Sequence, residues 1–322
     1  MRVVRIEHSG VDTSLPAMRK ALTVVQWGLL LVLSVVIYGS HAPLITLCKT
    51  GGLVPFSSSA IVICIELCKL LISVVLLMIM QDFHFLHVVS WQAVVPYAVP
   101  AILYAVNNNL VVHMQHFMDP TTYQVLSNLK IGCTALLYSG FLHRRLSLRK
   151  WVAVFLLMVA GACHTYGGVQ DHQKPLLETQ LHITPLGVLM VLFYSFVSGL
   201  SAVYTEVILK TQKLPLNLQN LFLYFFGVLF NLGAYGFSYE HAHFFEGFSI
   251  WVVVIILTQA LNGLLMSVVM KHSNNITRLF VISCSMLVNA ILSVLLFQLQ
   301  LTPLFFLAAC LIGVAGHLCY QV

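Results

Sequence analysis

Long apolar runs separated by short polar or turn-forming clusters make up most of the chain, and their length sets what they form. A helix that crosses hydrocarbon needs about 20 mainly apolar residues. Ten stretches have that character: 22–46, 60–80, 93–113, 121–142, 150–169, 183–209, 217–238, 249–270, 276–299 and 302–320. Breaks fall at Lys49-Thr50-Gly51-Gly52, Asp119-Pro120, His143-Arg144-Arg145, Lys213-Leu214-Pro215 and Ser273-Asn274-Asn275, and residues 170–182 form a polar connecting segment. In lipid, backbone amides and carbonyls find partners only inside their own segment, so every stretch is predicted helical. The expectation is an all-α membrane protein of ten transmembrane helices. It divides into a tail (1–21), a five-helix half (22–169), a connecting loop (170–182) and a second five-helix half (183–322).

The halves resemble each other. LSLRKWVAVFLLMVAG (146–161) matches LTPLFFLAACLIGVAG (301–316) at Leu146, Ala153, Leu156 and Val159-Ala160-Gly161 against Leu301, Ala308, Leu311 and Val314-Ala315-Gly316. Spans four and five therefore correspond to nine and ten. Five spans per half is an odd number, so the two copies must enter the membrane upside down relative to one another. Inverted repeats are typical of secondary transporters, which hold their ligand near midplane between the halves.

Composition agrees with this picture. Hydrophobic residues make up 59% of the chain and charged residues 8%, with a mean hydropathy of +0.93; soluble domains carry about 25% charged residues. The net charge of +6 could suggest nucleic acid, but its distribution argues against that. With ten spans both termini share one side. Arg2, Arg5, Arg19, Lys20, Arg144, Arg145, Arg149, Lys150, Lys210, Lys213 and Lys271 fall there, against Lys49 and Lys174 opposite. That bias makes the first side cytosolic, and the basic excess is an orientation signal. The sequon Asn275-Ile276-Thr277 lies on the cytosolic side, where glycans are not added. The first apolar run is too long for a cleaved signal and serves as its own insertion signal.

The eight cysteines mostly lie within apolar runs without Cys-x-x-Cys spacing, which predicts free thiols packed as small apolar groups. The pairs His84/His87, His113/His116 and His241/His243 lack the carboxylates of a buried metal site. No GxxxxGK[ST] phosphate loop, HExxH or paired catalytic carboxylates occur, so neither a cofactor nor an enzyme is expected.

Charges inside the spans carry more information. Lys130 sits mid-span, where insertion costs roughly 2.5–3.5 kcal/mol, so it should face the bundle interior and an anionic partner. That partner is either a bound anion or one of the intramembrane acids Glu66 and Glu206. Glu66 and Lys69 are spaced i and i+3, close enough to neutralise each other as a structural ion pair.

Longer motifs carry a family resemblance. YAVNNN (104–109) followed by DPTTYQVLSNLKIGCTAL (119–136), SSAIVICIELCKLL (58–71), SGLSAVYTEVILK (198–210) and QALNGLLMSVVMKHSNNITRLF (259–280) appear in order along the chain. Together they resemble the nucleotide-sugar transporters of the drug/metabolite transporter superfamily. The resemblance implies ten helices in two inverted repeats, residence in the Golgi membrane, and exchange of a cytosolic pyrimidine nucleotide-linked sugar or sugar alcohol (UDP-, CMP- or CDP-linked) for lumenal nucleotide monophosphate. It also assigns residues. Lys130 and Arg278 are implied phosphate contacts, and Tyr104, Asn107, Asn108, Asn220 and Tyr224 implied nucleotide contacts. Ser198, Gly199, Ser201, Tyr204 and Glu206 are implied to serve gating or packing. Three departures stand out: Arg278 replaces the family's lysine, Phe226 a serine and Asn274 an aspartate. Phe226 and Asn274 motivate a competing expectation, a non-transporting member that scaffolds other Golgi carriers or glycosyltransferases.

Overall fold

A computed structural model describes residues 14–49, 54–80, 89–114, 117–118, 120–141, 146–167, 169–170, 184–237 and 244–320. The elements are α1 (Ser14–Cys48), α2 (Ser58–Ile79), α3 (Trp91–Val94), α4 (Ala98–Met114), α5 (Pro120–Ser127), α6 (Leu129–Phe141), α7 (Leu148–Gly167), β1 (Val169–Gln170), α8 (Pro185–Thr211), α9 (Leu216–Phe237), α10 (Ile250–His272), α11 (Asn275–Phe297), β2 (Gln300–Leu301) and α12 (Pro303–Tyr320). A short 3-10 turn at Val95–Tyr97 joins α3 to α4 in one span. The Thr50–Gly52 turn, Asp119, His143–Arg145, residues 171–182, His84, His87, His116, His241 and His243 lie outside the described residues.

Among the described residues, nine helices are long and apolar enough to cross a membrane. The stretch read as one span over 121–142 departs from expectation: it is broken at Asn128 into α5 and α6. The side chain explains the break. Asn128 Nδ2 donates to the carbonyls of Gln124 at 3.1 Å and Val125 at 3.2 Å, in competition with the helix's own amides. Its backbone N–H bonds to Val125, three residues back, so the turn tightens. Its Oδ1 fills the space where a side chain at Gly161 of α7 would otherwise stand.

Two smaller departures concern boundaries. α1 starts at Ser14, inside the stretch read as a tail. Val169 and Gln170, read as a helix end and the start of a loop, instead pair antiparallel with Leu301 and Gln300. The Thr302 hydroxyl donates to the Gly167 carbonyl beside this ribbon, tying the end of α7 to the start of α12.

The helix pairing is orderly. α7 packs on α12 and α2 on α9; α1 lies against α10 and α11 as α8 lies against α4 and α6; α4 meets α9 as α2 meets α10. Exchanging the two halves maps these pairings onto themselves. Missing side chains permit the closest approaches. Gly199 sets α8 against the backbone of Cys133 and Thr134 in α6. Gly39 sets α1 against α11, where an added Cβ would stand 2.6 Å from the Ser285 carbonyl oxygen and 2.9 Å from Val288 Cβ. Backbone cannot yield as a flexible side chain can, so Gly39→Ala should cost about 1–3 kcal/mol. Gly28→Ala, with nothing within 4 Å of the new Cβ, should be close to neutral. Thermal melting of the two purified variants checks the contrast; equal melting would rule out the close approach.

The two largest of four apolar clusters among the described residues anchor the bundle. Ile131, Leu157, Val203, Phe280 and Ile312 join α6, α7, α8, α11 and α12. Leu77, Tyr97, Ile208, Leu218 and Leu264 join α2, the α3–α4 turn, α8, α9 and α10. Large apolar side chains such as Leu29, Leu71, Phe155, Leu189 and Leu295 face outward, as suits a hydrocarbon surround. All eight cysteines are unpaired thiols.

Candidate ligand-binding site

Polar side chains gather inside the bundle around two cavities. The first, of about 210 Å3, is bounded by α1, α2, α4 and α8 to α11, and Tyr38, Glu66, Lys69, Tyr104, Asn108, Tyr224 and Arg278 line it. The i, i+3 spacing on α2 delivers Glu66 and Lys69 together, and Lys69 Nζ bonds Glu66 Oε1 at 2.5 Å. The ammonium also sits 4.6 Å from the centre of the Tyr224 ring. Two glycines make room for the pair. A Cβ at Gly227 would stand 2.7 Å from Glu66 Oε2, and one at Gly263 would stand 2.7 Å from Lys69 Cδ. The Tyr224 hydroxyl lies 3.1 Å from Ser267 Oγ, and the Thr205 hydroxyl 3.4 Å from that of Tyr104. A smaller space of about 40 Å3, lined by Ser58, Ser59, Asn108, Asn109 and Asn231, continues the first cavity toward the ends where α4 and α9 finish.

The second cavity, of about 410 Å3, lies between α1, α5, α6, α7 and α11; its polar lining includes Tyr38, Gln124, Ser127, Lys130, His164 and Asn289. Tyr38 lines both cavities and so forms the wall between them. Lys130 hydrogen-bonds with the Tyr194 hydroxyl and is within electrostatic reach of Tyr38 and Arg278. Among the described residues it has no carboxylate partner. Of the two acids that could have supplied one, Glu66 is engaged by Lys69 and Glu206 by Lys210. Arg278 likewise forms no ion pair among the described residues, and its Nε is buried without a hydrogen-bond partner. Two cations thus meet across Tyr38 with no fixed counter-charge between them among the described residues.

Glu206 has a different role. It is 1% exposed, and its two oxygens hold separate elements. Oε1 accepts from Lys210 Nζ at 2.6 Å; Oε2 accepts from the backbone N–H and side-chain amide of Asn275, each at 2.8 Å. Lys210 also donates to the Ser273 carbonyl, and Asn275 Nδ2 to that of Ala202. The end of α8 is thereby clasped to the start of α11. Lys271 adds a 2.9 Å bond to the Leu214 carbonyl at the same end of the bundle. Because its amide is spent in this clasp and fully buried, a glycan on Asn275 is incompatible with this packing.

The other sequence-derived residues divide. Tyr104, Asn108, Tyr224 and Arg278 share the first cavity. Asn107 lies against the Tyr194 hydroxyl, outside that lining, and Asn220 is buried between helices one turn from Tyr224. Ser201 donates to the Ser198 carbonyl, Tyr204 packs against the second apolar core, and Gly199 lies against the α6 backbone. The departures from the family pattern also find places. The Phe226 ring stacks on Phe230 at 6.1 Å, outside either cavity lining. Asn274 caps α11, its Oδ1 accepting from the Thr277 N–H at 2.9 Å. Sequence reasoning missed Tyr38, Tyr194, Asn262 and Lys210. Two of them left a signal that could have found them: Asn262 as an amide inside an apolar run, and Lys210 by its i, i+4 spacing from Glu206.

The nucleotide-sugar transporter family pattern matches residues 29–321. A protein of Xenopus tropicalis named probable UDP-sugar transporter protein SLC35A4 is 60% identical over 321 residues, covering 99% of each chain. The Homo sapiens protein of the same name is 51% identical over 304 residues, 92% of this chain and 94% of its own. A solved structure titled "Crystal structure of protein" superposes with a TM-score of 0.67 at 9% identity, over 91% of this chain and 95% of that one, which is a likeness of fold.

Proposed function

Because the chain belongs to the nucleotide-sugar transporter family, a family of multi-pass membrane transporters rather than enzymes, we propose that it is an antiporter. It exchanges a cytosolic UDP-linked sugar for lumenal nucleotide monophosphate across the Golgi membrane. The observation that carries this reading is the pair Lys130 and Arg278. A buried cation is retained at membrane depth only with a partner, and here the partner is the phosphate of the ligand. A point-charge ammonium and a bidentate guanidinium suit a phosphate reached from two sides. Tyr104, Tyr224 and Asn108 offer ring faces and an amide to a base and ribose. The relatives' names favour UDP among the pyrimidine nucleotides.

The interchangeable helix pairings support two inverted five-helix halves. Alternating access then needs one end closed while the other opens. The Glu206–Lys210–Asn275 clasp closes the end that bears Lys210, Lys213 and Lys271, which the charge bias makes cytosolic. The closure fits a state facing the lumen, with both termini in the cytosol. The scaffold alternative loses its motive, because Phe226 and Asn274 both have packing or capping roles outside the cavities.

The purified chain, reconstituted in liposomes preloaded with UMP, should take up radiolabelled UDP-sugar several-fold faster than in empty liposomes. A panel of UDP-hexoses with no acceleration by internal UMP for any member would overturn the reading.

A further inference from the structure

We propose that a groove on the bundle surface, at the end where α7 begins and α12 finishes, holds the headgroup of an anionic phospholipid. The groove measures about 450 Å3, more than either cavity inside the bundle. Ser147 and the first turn of α7 (Leu148, Arg149 and Lys150) face Leu318 and Cys319 of α12 across it. The two helices pack together beneath.

The lining carries positive charge that the protein does not use. Arg149 and Lys150 are exposed and form no ion pair among the described residues. Both stand in the first turn of a helix, where the helix dipole disfavours cations. An anion in the groove offsets that cost. The Lys150 ammonium is within electrostatic reach of the Cys319 thiol, so it leans across the groove toward α12. The Ser147 hydroxyl adds a donor for a phosphate oxygen.

The surroundings turn an anion site into a lipid site. Trp151 and Tyr320 belong to the same end of the bundle, and such rings gather at headgroup depth. Deeper in the span the outward side chains are apolar. Val152 and Phe155 lie about one and two turns below Leu148, and Val314 about one turn below Leu318, all exposed. Cation, aromatic ring and apolar surface thus follow one another into the membrane, the order of an anionic head followed by hydrocarbon tails. A free phosphate matches only the first of these and fills a small part of the groove.

The test is native mass spectrometry of the full chain in neutral detergent, titrated with phosphatidylserine, phosphatidylcholine and inorganic phosphate. Phosphatidylserine should bind more tightly than phosphatidylcholine, and Lys150→Gln or Arg149→Gln should each lower its affinity about fivefold. Both positions are exposed, so the melting temperature should not move. Lys213→Gln removes the same charge from an exposed site at the same end of the bundle but outside the groove, and should leave the affinity unchanged. Equal binding of the two lipids, or equal losses for Lys150→Gln and Lys213→Gln, would reduce the effect to diffuse charge attraction and overturn the site. Displacement of phosphatidylserine by inorganic phosphate at equal concentration would make the occupant a free anion and overturn the lipid.

Discussion

Lys130→Ala should lower nucleotide-sugar exchange by about ten- to a hundredfold and remove the thermal shift that UMP produces, yet leave the unliganded protein as stable as before or slightly more so. The two halves of this expectation have one cause. A hydrogen bond to a charged group contributes about 1.5–3 kcal/mol, and the phosphate site loses its ammonium. No carboxylate is orphaned by the substitution, because Glu66 and Glu206 hold Lys69 and Lys210. The empty protein is instead relieved of a cation that was costly to bury. A lysine with a merely structural role would give the opposite sign, loss of stability with little change in binding per folded molecule. Lys130→Arg keeps the charge but replaces a point donor with a planar fork, so partial activity is expected. Melting curves with and without UMP, beside the exchange assay, separate these outcomes. Wild-type exchange by Lys130→Ala would remove the lysine from the site.

Glu206→Ala should be the most destabilising single change at the clasp. Removing one partner of a buried ion pair costs about 3–5 kcal/mol, because the other is left uncompensated. Lys210, at 29% side-chain exposure, recovers some water, which favours the lower figure. Against this, Asn275 is fully buried and loses the acceptor for both its N–H and its side-chain amide. A fall in melting temperature of roughly 4–5 °C follows from about 3 kcal/mol in a chain of 322 residues. Glu206→Gln keeps an acceptor for Asn275 and loses the charge attraction, so it should fall between. If Glu206→Ala melts with the wild type, the clasp contributes nothing to the closed end.

Much of this architecture is written in the apolar periodicity. Nine of the ten stretches appear as single membrane-length segments because hydrocarbon leaves the backbone no other solution. The break at Asn128 could not be read the same way. It depends on an amide finding Thr165 at 3.5 Å and a notch at Gly161 on another helix, and no local pattern reports that. The site was half legible. Glu66 with Lys69 follows from i, i+3 spacing alone, and Lys130 from its cost at depth. Tyr38 was illegible because a tyrosine in an apolar span looks like any interfacial or core aromatic; its position between two cavities exists only once α1 lies against α11. Asn107 shows the converse. It shares a motif with Asn108, yet neighbouring residues on a helix point about 100° apart, so one meets the cavity and the other Tyr194.

Among the described residues no fixed counter-charge stands beside Lys130 and Arg278, and this bears on coupling stoichiometry. To reorient while vacant, the protein would have to carry two facing cations through an occluded intermediate with only neutral oxygen and nitrogen atoms around them. On the exchange proposed above, occupancy by either nucleotide species removes that barrier. Slippage is therefore disfavoured, and one molecule should leave for each that enters without any energy source beyond the two gradients.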